Sequence, residues 1–195
     1  MSFGYYFPVL RGIVIALQNL LFQVFYGKYF PRDTKICGFP IVAFSNGSQV
    51  EIGKNLVMIS ASYFSEPGVN HPVILRTLNE NARLVIGSDV GMSGGGICAA
   101  KEVIIGDNVM MGANSFITDT DFHPLAPEGR RHRHDNTICE RVEICSNVFL
   151  GMNVLVLKGV KIGTNSVIGA GSVVTSDIPE NCIAAGVPAR LLRRL

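Results

Sequence analysis

Apolar residues recur along this chain every six positions, not at the intervals of two, or of three and four, that ordinary strands and helices use. Ile138, Ile144, Leu150, Val156, Ile162, Ile168 and Val174 open successive six-residue units. Four places further on stand Val142, Val148, Val154, Val160, Ser166, Ser172 and Ile178, so two of every six side chains are expected to face inward. Asn55, Asn108, Asn114, Asn147, Asn153 and Asn165 hold the fourth place of their units, with Asp89 and Asp177 in equivalent places and Gly159 and Gly171 in two others. These residue types accept positive φ and bond their own local backbone, so each marks a tight corner. The pattern predicts short parallel strands wound as a coil, three sides to a turn, with coils stacked about 4.8 Å apart.

Ile52, Ile86 and Ile105 open earlier blocks in broken phase. Ile86 to Ile105 is nineteen residues instead of eighteen, so one coil carries an extra residue. Ile117 to Ile138 is twenty-one, which predicts a loop excursion over 123–137. A bulge is expected from Tyr63 to Pro72, which holds Pro67 and Gly68 and lacks the apolar pattern. Pro8 to Tyr26 reads as a helix with Val9, Ile13, Leu17, Leu20, Leu21, Val24 and Phe25 apolar, interrupted by Gln18, Asn19 and Gln23. It is too short and polar to span a membrane and lacks the marks of a secretory signal. Either it packs on the coil or on a neighbouring subunit, or it lies in a membrane surface as an amphipathic anchor. Tyr5, Tyr6, Phe7, Phe22, Phe25, Tyr26, Tyr29 and Phe30 speak for the second. The expected organisation is an N-terminal segment 1–40, a coiled domain 41–186 and a basic C-terminal segment 187–195.

Composition narrows the class. With 195 residues, 48% of them apolar, one soluble domain with a sizeable core is expected. A net charge of +2 gives no nucleic-acid footprint. The five cysteines form no CxxC pair; Cys139 and Cys145 fall at the second, small-residue place of consecutive units and Cys98 at an inward place. That spacing suits packing groups in a reducing compartment better than disulfides or a zinc site.

The repeat units, with Asp119-Thr120-Asp121-Phe122-His123-Pro124-Leu125 set between two repeat blocks, resemble the hexapeptide-repeat acyltransferases. The resemblance is strongest to the maltose, galactoside and polysaccharide O-acetyltransferases and runs from about Ile41 to the C-terminus. It implies an all-β fold, a left-handed parallel β-helix shaped as a triangular prism of 18-residue coils, with an N-terminal helix and a short C-terminal segment. The handedness comes from the resemblance, since ordinary crossovers are right-handed. It further implies a homotrimer and transfer of acetyl from acetyl-coenzyme A to a sugar or polysaccharide-precursor hydroxyl, with no metal. A cytoplasmic location is implied, with or without membrane association through the helix.

In this resemblance His123 is the general base. A neutral imidazole, with a pKa ordinarily near 6.5, can take the proton of an acceptor hydroxyl as its oxygen attacks the thioester carbonyl, and no acyl-enzyme is required. Asp121 is the preferred group to orient the ring and Asp119 the other choice; capping of the corner before the loop is the alternative for both. Along the donor stretch 168–179, Ala170 and Thr175 match contact positions, and Ser176 replaces a lysine that assists the nucleotide phosphates. Arg190 closes the matching C-terminal element, and Arg193 falls where a phosphate-binding arginine is found. Phe149 replaces a tryptophan beside the thioester. Met152 replaces a smaller residue, which leaves a backbone N–H near Gly151 or Met152 as oxyanion donor.

The acceptor is expected at Ser93, in a Met92-to-Gly96 corner that leaves open space, with His71 of the earlier bulge reaching the same mouth. Arg130-Arg131-His132-Arg133-His134 makes the excursion basic, which suits an anionic saccharide, the phosphates of the donor, or a solvated loop. Three other functions are weighed. One is acetylation of an amine on an amino sugar or xenobiotic. Another is a γ-carbonic-anhydrase-like zinc enzyme, for which His71, His132 and His134 lack the spacing. The last is a non-catalytic scaffold.

Overall fold

The computed structural model describes residues 8–132 and 137–195; Tyr5, Tyr6 and Phe7, and Arg133 and His134 of the basic loop, lie outside the described residues. The chain is a left-handed parallel β-helix, and three sheets of eight, six and five strands form its sides. Sheet 1 holds Lys35–Cys37, Val57–Ile59, Gly91–Ser93, Met110–Met111, Phe149–Leu150, Val167–Ile168, Cys182–Gly186 and Ala189–Arg194. Sheet 2 holds Ile41–Ala43, Ile74–Thr77, Gly96–Ala99, Phe116–Thr118, Leu155–Val156 and Val173–Val174. Sheet 3 holds Gln49–Ile52, Arg83–Ile86, Glu102–Ile105, Val142–Ile144 and Lys161–Ile162. Among the described residues the pairings between coils are parallel, and the last strand, Ala189–Arg194, turns back antiparallel on Cys182–Gly186.

The six-residue period becomes the core. Ile144, Leu150, Val156, Ile162, Ile168 and Val174, and Val142, Val148, Val154, Val160, Ser166, Ser172 and Ile178, are all buried. Ile138 is the exception: it is 42% exposed and sits outside any strand, so it opens no coil. Every corner asparagine named above has φ between 57° and 63°, as do Asp89 within that range and Gly159 and Gly171 at 78° and 71°. Asp177 does not share this geometry; its Oδ1 accepts the Lys161 N–H at 2.7 Å and closes the corner from the side chain.

The extra residue has a precise origin in the strand register. Five positions separate Met92 from Ile97 where six separate Met111 from Ile117, and eight separate Ile97 from Ile105 where six separate Val156 from Ile162. One corner is thus shortened by one residue and the next widened by two. The short corner needs Gly94 and Gly95, both left-handed at φ 57° and 64°, because a Cβ on Gly95 would lie 1.9 Å from the Ser115 carbonyl oxygen. Gly95→Ala is expected to lower the unfolding free energy by about 2–4 kcal/mol in urea titration. The wide corner, Ala100 to Glu102, is held by a carboxylate described below.

Helix α1 (Pro8–Tyr26) covers the outer edge of the first strand of sheet 1. Its amides do this directly: Asn19 Nδ2 donates to the Ile36 carbonyl at 2.9 Å, and Asn19 Oδ1 accepts the Ile36 N–H at 2.9 Å. Gln18 Oε1 accepts from Gly38, and Gln23 Nε2 donates to Pro31. Phe22 and Phe30, fully or almost fully buried, pack with Tyr26 in tilted and edge-to-face contacts and plug the end of the core. The polar residues that interrupt the apolar pattern are therefore the docking face.

Candidate active site

The loop bearing His123 leaves the prism after the sheet 2 strand Phe116–Thr118 and returns before the sheet 3 strand Val142–Ile144, at the edge where sheets 2 and 3 meet. Its neck is a short antiparallel ladder: Asp121 N–H donates to the Ile138 carbonyl, Glu140 N–H to the Asp119 carbonyl, and Thr120 bridges Cys139. Cys139 is thus part of the neck and not of a coil corner, with its thiol 3.3 Å from Thr120 Oγ1. Phe122 takes φ 61°, unusual for a bulky side chain, and its N–H donates to Thr120 Oγ1 at 3.1 Å. That bend turns His123 outward to solvent while Pro124 is buried behind it.

The two aspartates have different tasks. Asp119 is fully buried, and its carboxylate accepts three backbone N–H groups, from Ala100, Lys101 and Glu102, each at 2.7 Å. Burial pushes its carboxyl up and the three donors pull it back. This is the carboxylate that holds the widened corner of the preceding coil, so Asp119 caps and does not face the ring. Asp121 Oδ1 accepts from Lys158 Nζ at 2.8 Å, while its Oδ2 is buried with no hydrogen-bond partner. Lys158 escaped the sequence reading; the available signal was its third place in the Val156 unit, in register with Asp119 of the Ile117 unit.

The same register puts Ser176 one coil beyond Lys158, with Thr175 beside it, on the edge that carries His123. The other residues lie elsewhere. Gly151, Met152 and Ala170 occupy corners between sheets 1 and 2. Phe149 points outward from sheet 1, and Arg190 and Arg193 lie on the final strand of that sheet. Within one chain the width of sheet 2 separates the two groups. Arg190 and Arg193 are exposed. The Gly151 N–H is already committed to the Ile168 carbonyl at 2.8 Å, which removes it as an oxyanion donor. Gly171 borders open space, with nothing within 4 Å of where its Cβ would be.

Ser93 lies on the sheet 1/sheet 2 edge, two coils before Gly151. The corner after it is filled, not open: Val69 of the bulge sits 2.8 Å from a Cβ on Gly94, and Asn70 N–H donates to Asn114 Oδ1 at 2.7 Å. His71 lies on the same edge, partly buried, its Nδ1 2.8 Å from the Pro72 carbonyl oxygen. A cavity of about 420 Å³ lined by Cys145, Lys161, Thr164, Asp177 and Glu180 opens on another part of the prism and includes none of the candidate residues. Burial pushes the Cys98 and Cys145 thiols up, which keeps them from acting as thiolates. Among the described residues, no group of three or more His, Cys, Asp or Glu side chains is placed to hold a metal ion.

The outward rungs of the three sheets differ. Sheet 2 presents Ile41, Ile74, Gly96, Phe116, Leu155 and Val173 in one register, and sheet 1 presents Val57, Gly91, Met110, Phe149, Val167 and Ile183. Sheet 3 instead carries a ladder of ion pairs, in which Arg83 meets Glu51 and Glu102 at 3.1 and 2.9 Å, and Arg141 and Lys161 meet Glu143 at 2.9 and 3.2 Å. Sheets 1 and 2 are thus mostly apolar outside, with Lys35 and Arg76 as exceptions on the early coils, and sheet 3 is suited to water.

Residues 141–176 match the family Bacterial transferase hexapeptide (six repeats), and residues 102–118 match Hexapeptide repeat of succinyl-transferase. The chain is 46% identical over 94 residues to a galactoside O-acetyltransferase of Lactococcus lactis, a stretch covering 48% of this chain and 44% of that protein. It is 45% identical over 93 residues to the galactoside O-acetyltransferase of Escherichia coli, covering 48% and 44%. The match thus spans less than half the length of either curated relative. Among solved structures, a hexapeptide-repeat-containing acetyltransferase of Vibrio cholerae superposes with a TM-score of 0.53 at 26% identity, covering 80% of this chain and 74% of that one.

Proposed function

We propose that this chain is a hexapeptide-repeat acyltransferase, as its matches over 102–118 and 141–176 support, and that it transfers an acetyl group from acetyl-coenzyme A to a hydroxyl of a saccharide, with His123 as general base. The observation that carries this reading is the outward imidazole on the excursion at the sheet 2/sheet 3 edge, above Thr175 and Ser176 in the same column. The acceptor O–H gives its proton to the imidazole as the oxygen forms a bond to the thioester carbonyl carbon. The tetrahedral species collapses by breaking the C–S bond, and the imidazolium returns its proton to the departing thiolate. Asp121 is the orienting group: Lys158 fixes one carboxylate oxygen, and the buried, unpartnered Oδ2 remains to accept a ring N–H.

Assembly as a homotrimer unites the two groups that one chain keeps apart. A groove between the His123 edge of one copy and sheet 1 of the next gathers His123, Thr175 and Ser176 from the first with Phe149, Met152, Ala170, Arg190 and Arg193 from the second. The apolar rungs of sheets 1 and 2 supply the packing surface, and the ion-pair ladder of sheet 3 faces solvent. The pantetheine arm runs along the small residues Ala170 and Gly171 toward Phe149. Its phosphates meet Arg190 and Arg193, which offset the missing lysine at Ser176. With the Gly151 N–H committed, the oxyanion falls to the Met152 N–H.

Thiol release from acetyl-coenzyme A, measured against galactosides and polysaccharide precursors, tests this reading. Turnover with a saccharide hydroxyl is expected, together with a trimeric mass in light scattering. Leu155→Glu, in the middle of the apolar rungs of sheet 2, is expected to give folded monomers without turnover. Release dependent on an amine acceptor would redirect the assignment to N-acetylation, and no release with any acceptor would reject it.

A further inference from the structure

Helix α1 is turned inside out relative to an ordinary surface helix. Its amides face the protein, and Ile13, Val14, Leu17, Leu20, Leu21, Val24 and Phe25 face away, each between 40% and 71% exposed. At 100° per residue these seven side chains occupy one arc of about 140°. A contiguous apolar stripe of this size on the outside of a protein marks a surface that another apolar phase covers.

We propose that this face of α1 docks on an anionic lipid bilayer, with the helix lying in the interface and the prism standing behind it. Charge complementarity selects this occupant. Residues 1–35 contain Arg11, Lys28, Arg32 and Lys35 against a single acid, Asp33, and the helix itself has no acid. Arg11 and Lys28 flank the stripe near its two ends, and each lies over an aromatic ring, Phe64 at 5.1 Å and Tyr29 at 4.5 Å. A basic-flanked apolar arc is the composition that binds the boundary between acidic headgroups and acyl chains. No described helix is long and apolar enough to cross a membrane, so the mode is lying on the surface. Because α1 covers the first edge of sheet 1 at the end of the column, docking leaves all the later coils, and the His123 edge, directed away from the lipid plane. The docking does not depend on the acyl-transfer chemistry, and its test does not read turnover.

Co-sedimentation of the full chain with vesicles is the experiment. Binding to phosphatidylglycerol–phosphatidylcholine vesicles is expected, with weaker binding to phosphatidylcholine alone and release by high salt. Leu20→Asp with Val24→Asp is expected to lower the bound fraction roughly 10-fold or more, with the thermal unfolding transition and the molar mass unchanged. Phe25→Ser, a milder change on the same arc, is expected to weaken binding in proportion. Absence of binding by the unaltered chain overturns the proposal. A smaller molar mass for the double variant overturns it as well, because the stripe would then be a contact between copies of the chain.

Discussion

Replacing His123 with alanine is expected to lower acyl transfer at least roughly 10²-fold, with the unfolding transition and acetyl-coenzyme A binding little changed. The ring is exposed, so its loss removes no core contact. The loop is anchored by the neck ladder between Asp119 and Glu140 and between Asp121 and Ile138, the Thr120–Cys139 bridge, and buried Pro124. The loss therefore belongs to kcat and not to folding. Initial rates of thiol release at saturating donor, alongside donor affinity by calorimetry, separate the two. A variant that turns over at the parent rate removes His123 from the chemistry. One that no longer binds donor assigns it a binding role.

The largest effect on stability is expected at Asp119. Alanine there removes a fully buried carboxylate that accepts three backbone N–H groups of a part-buried corner, and losing three charge-assisted hydrogen bonds together costs about 3–5 kcal/mol. Asparagine is expected to lose nearly as much, since its amide offers one oxygen to donors that now use two, and its NH₂ faces N–H groups. Urea unfolding measures both. The effect on catalysis is indirect: the wide corner supports the coil from which Thr120, Asp121 and His123 depart, so Asp119→Ala should blunt turnover only as far as it unfolds the chain. A loss below about 1 kcal/mol would mean that the corner holds its shape without the carboxylate.

The sequence made the prism readable because a sixfold rhythm has one physical meaning: an inward side chain at the same point of each short strand. The asparagine corners were readable for a similar reason, since positive φ restricts the choice of residue. Where the rhythm is only apparent, it misled. Ile138 continues the phase by coincidence, because the neck of the excursion brings the chain back in extended conformation before the next coil begins. The glycines after Ser93 looked like an opening and are instead the mark of backbone forced against backbone. Distances across the prism were not legible at all: Ala170 and Thr175 are five residues apart in sequence but fall on two different edges. Lys158 was hidden for the same reason, because its partner Asp121 lies 37 positions away and meets it only through the stacking of coils. In α1, Gln18, Asn19 and Gln23 seemed to weaken an amphipathic helix, and they turn out to be its docking groups: Asn19 and Gln18 satisfy the edge and end of the first strand, and Gln23 ties the loop before it.

The central claim is that the imidazole of one copy acts on a thioester held by the next. Subunit mixing tests it most directly. His123→Ala removes the base, and Ala170→Trp blocks the donor groove on the sheet 1 side; each variant alone is expected to be inactive. Co-expressed in equal amounts, they form trimers in which an intact His123 edge faces an intact sheet 1 at about a quarter of the interfaces, and turnover is expected to recover to about that fraction. If mixed trimers form and stay as inactive as either parent, both groups serve the same chain and the shared site is wrong.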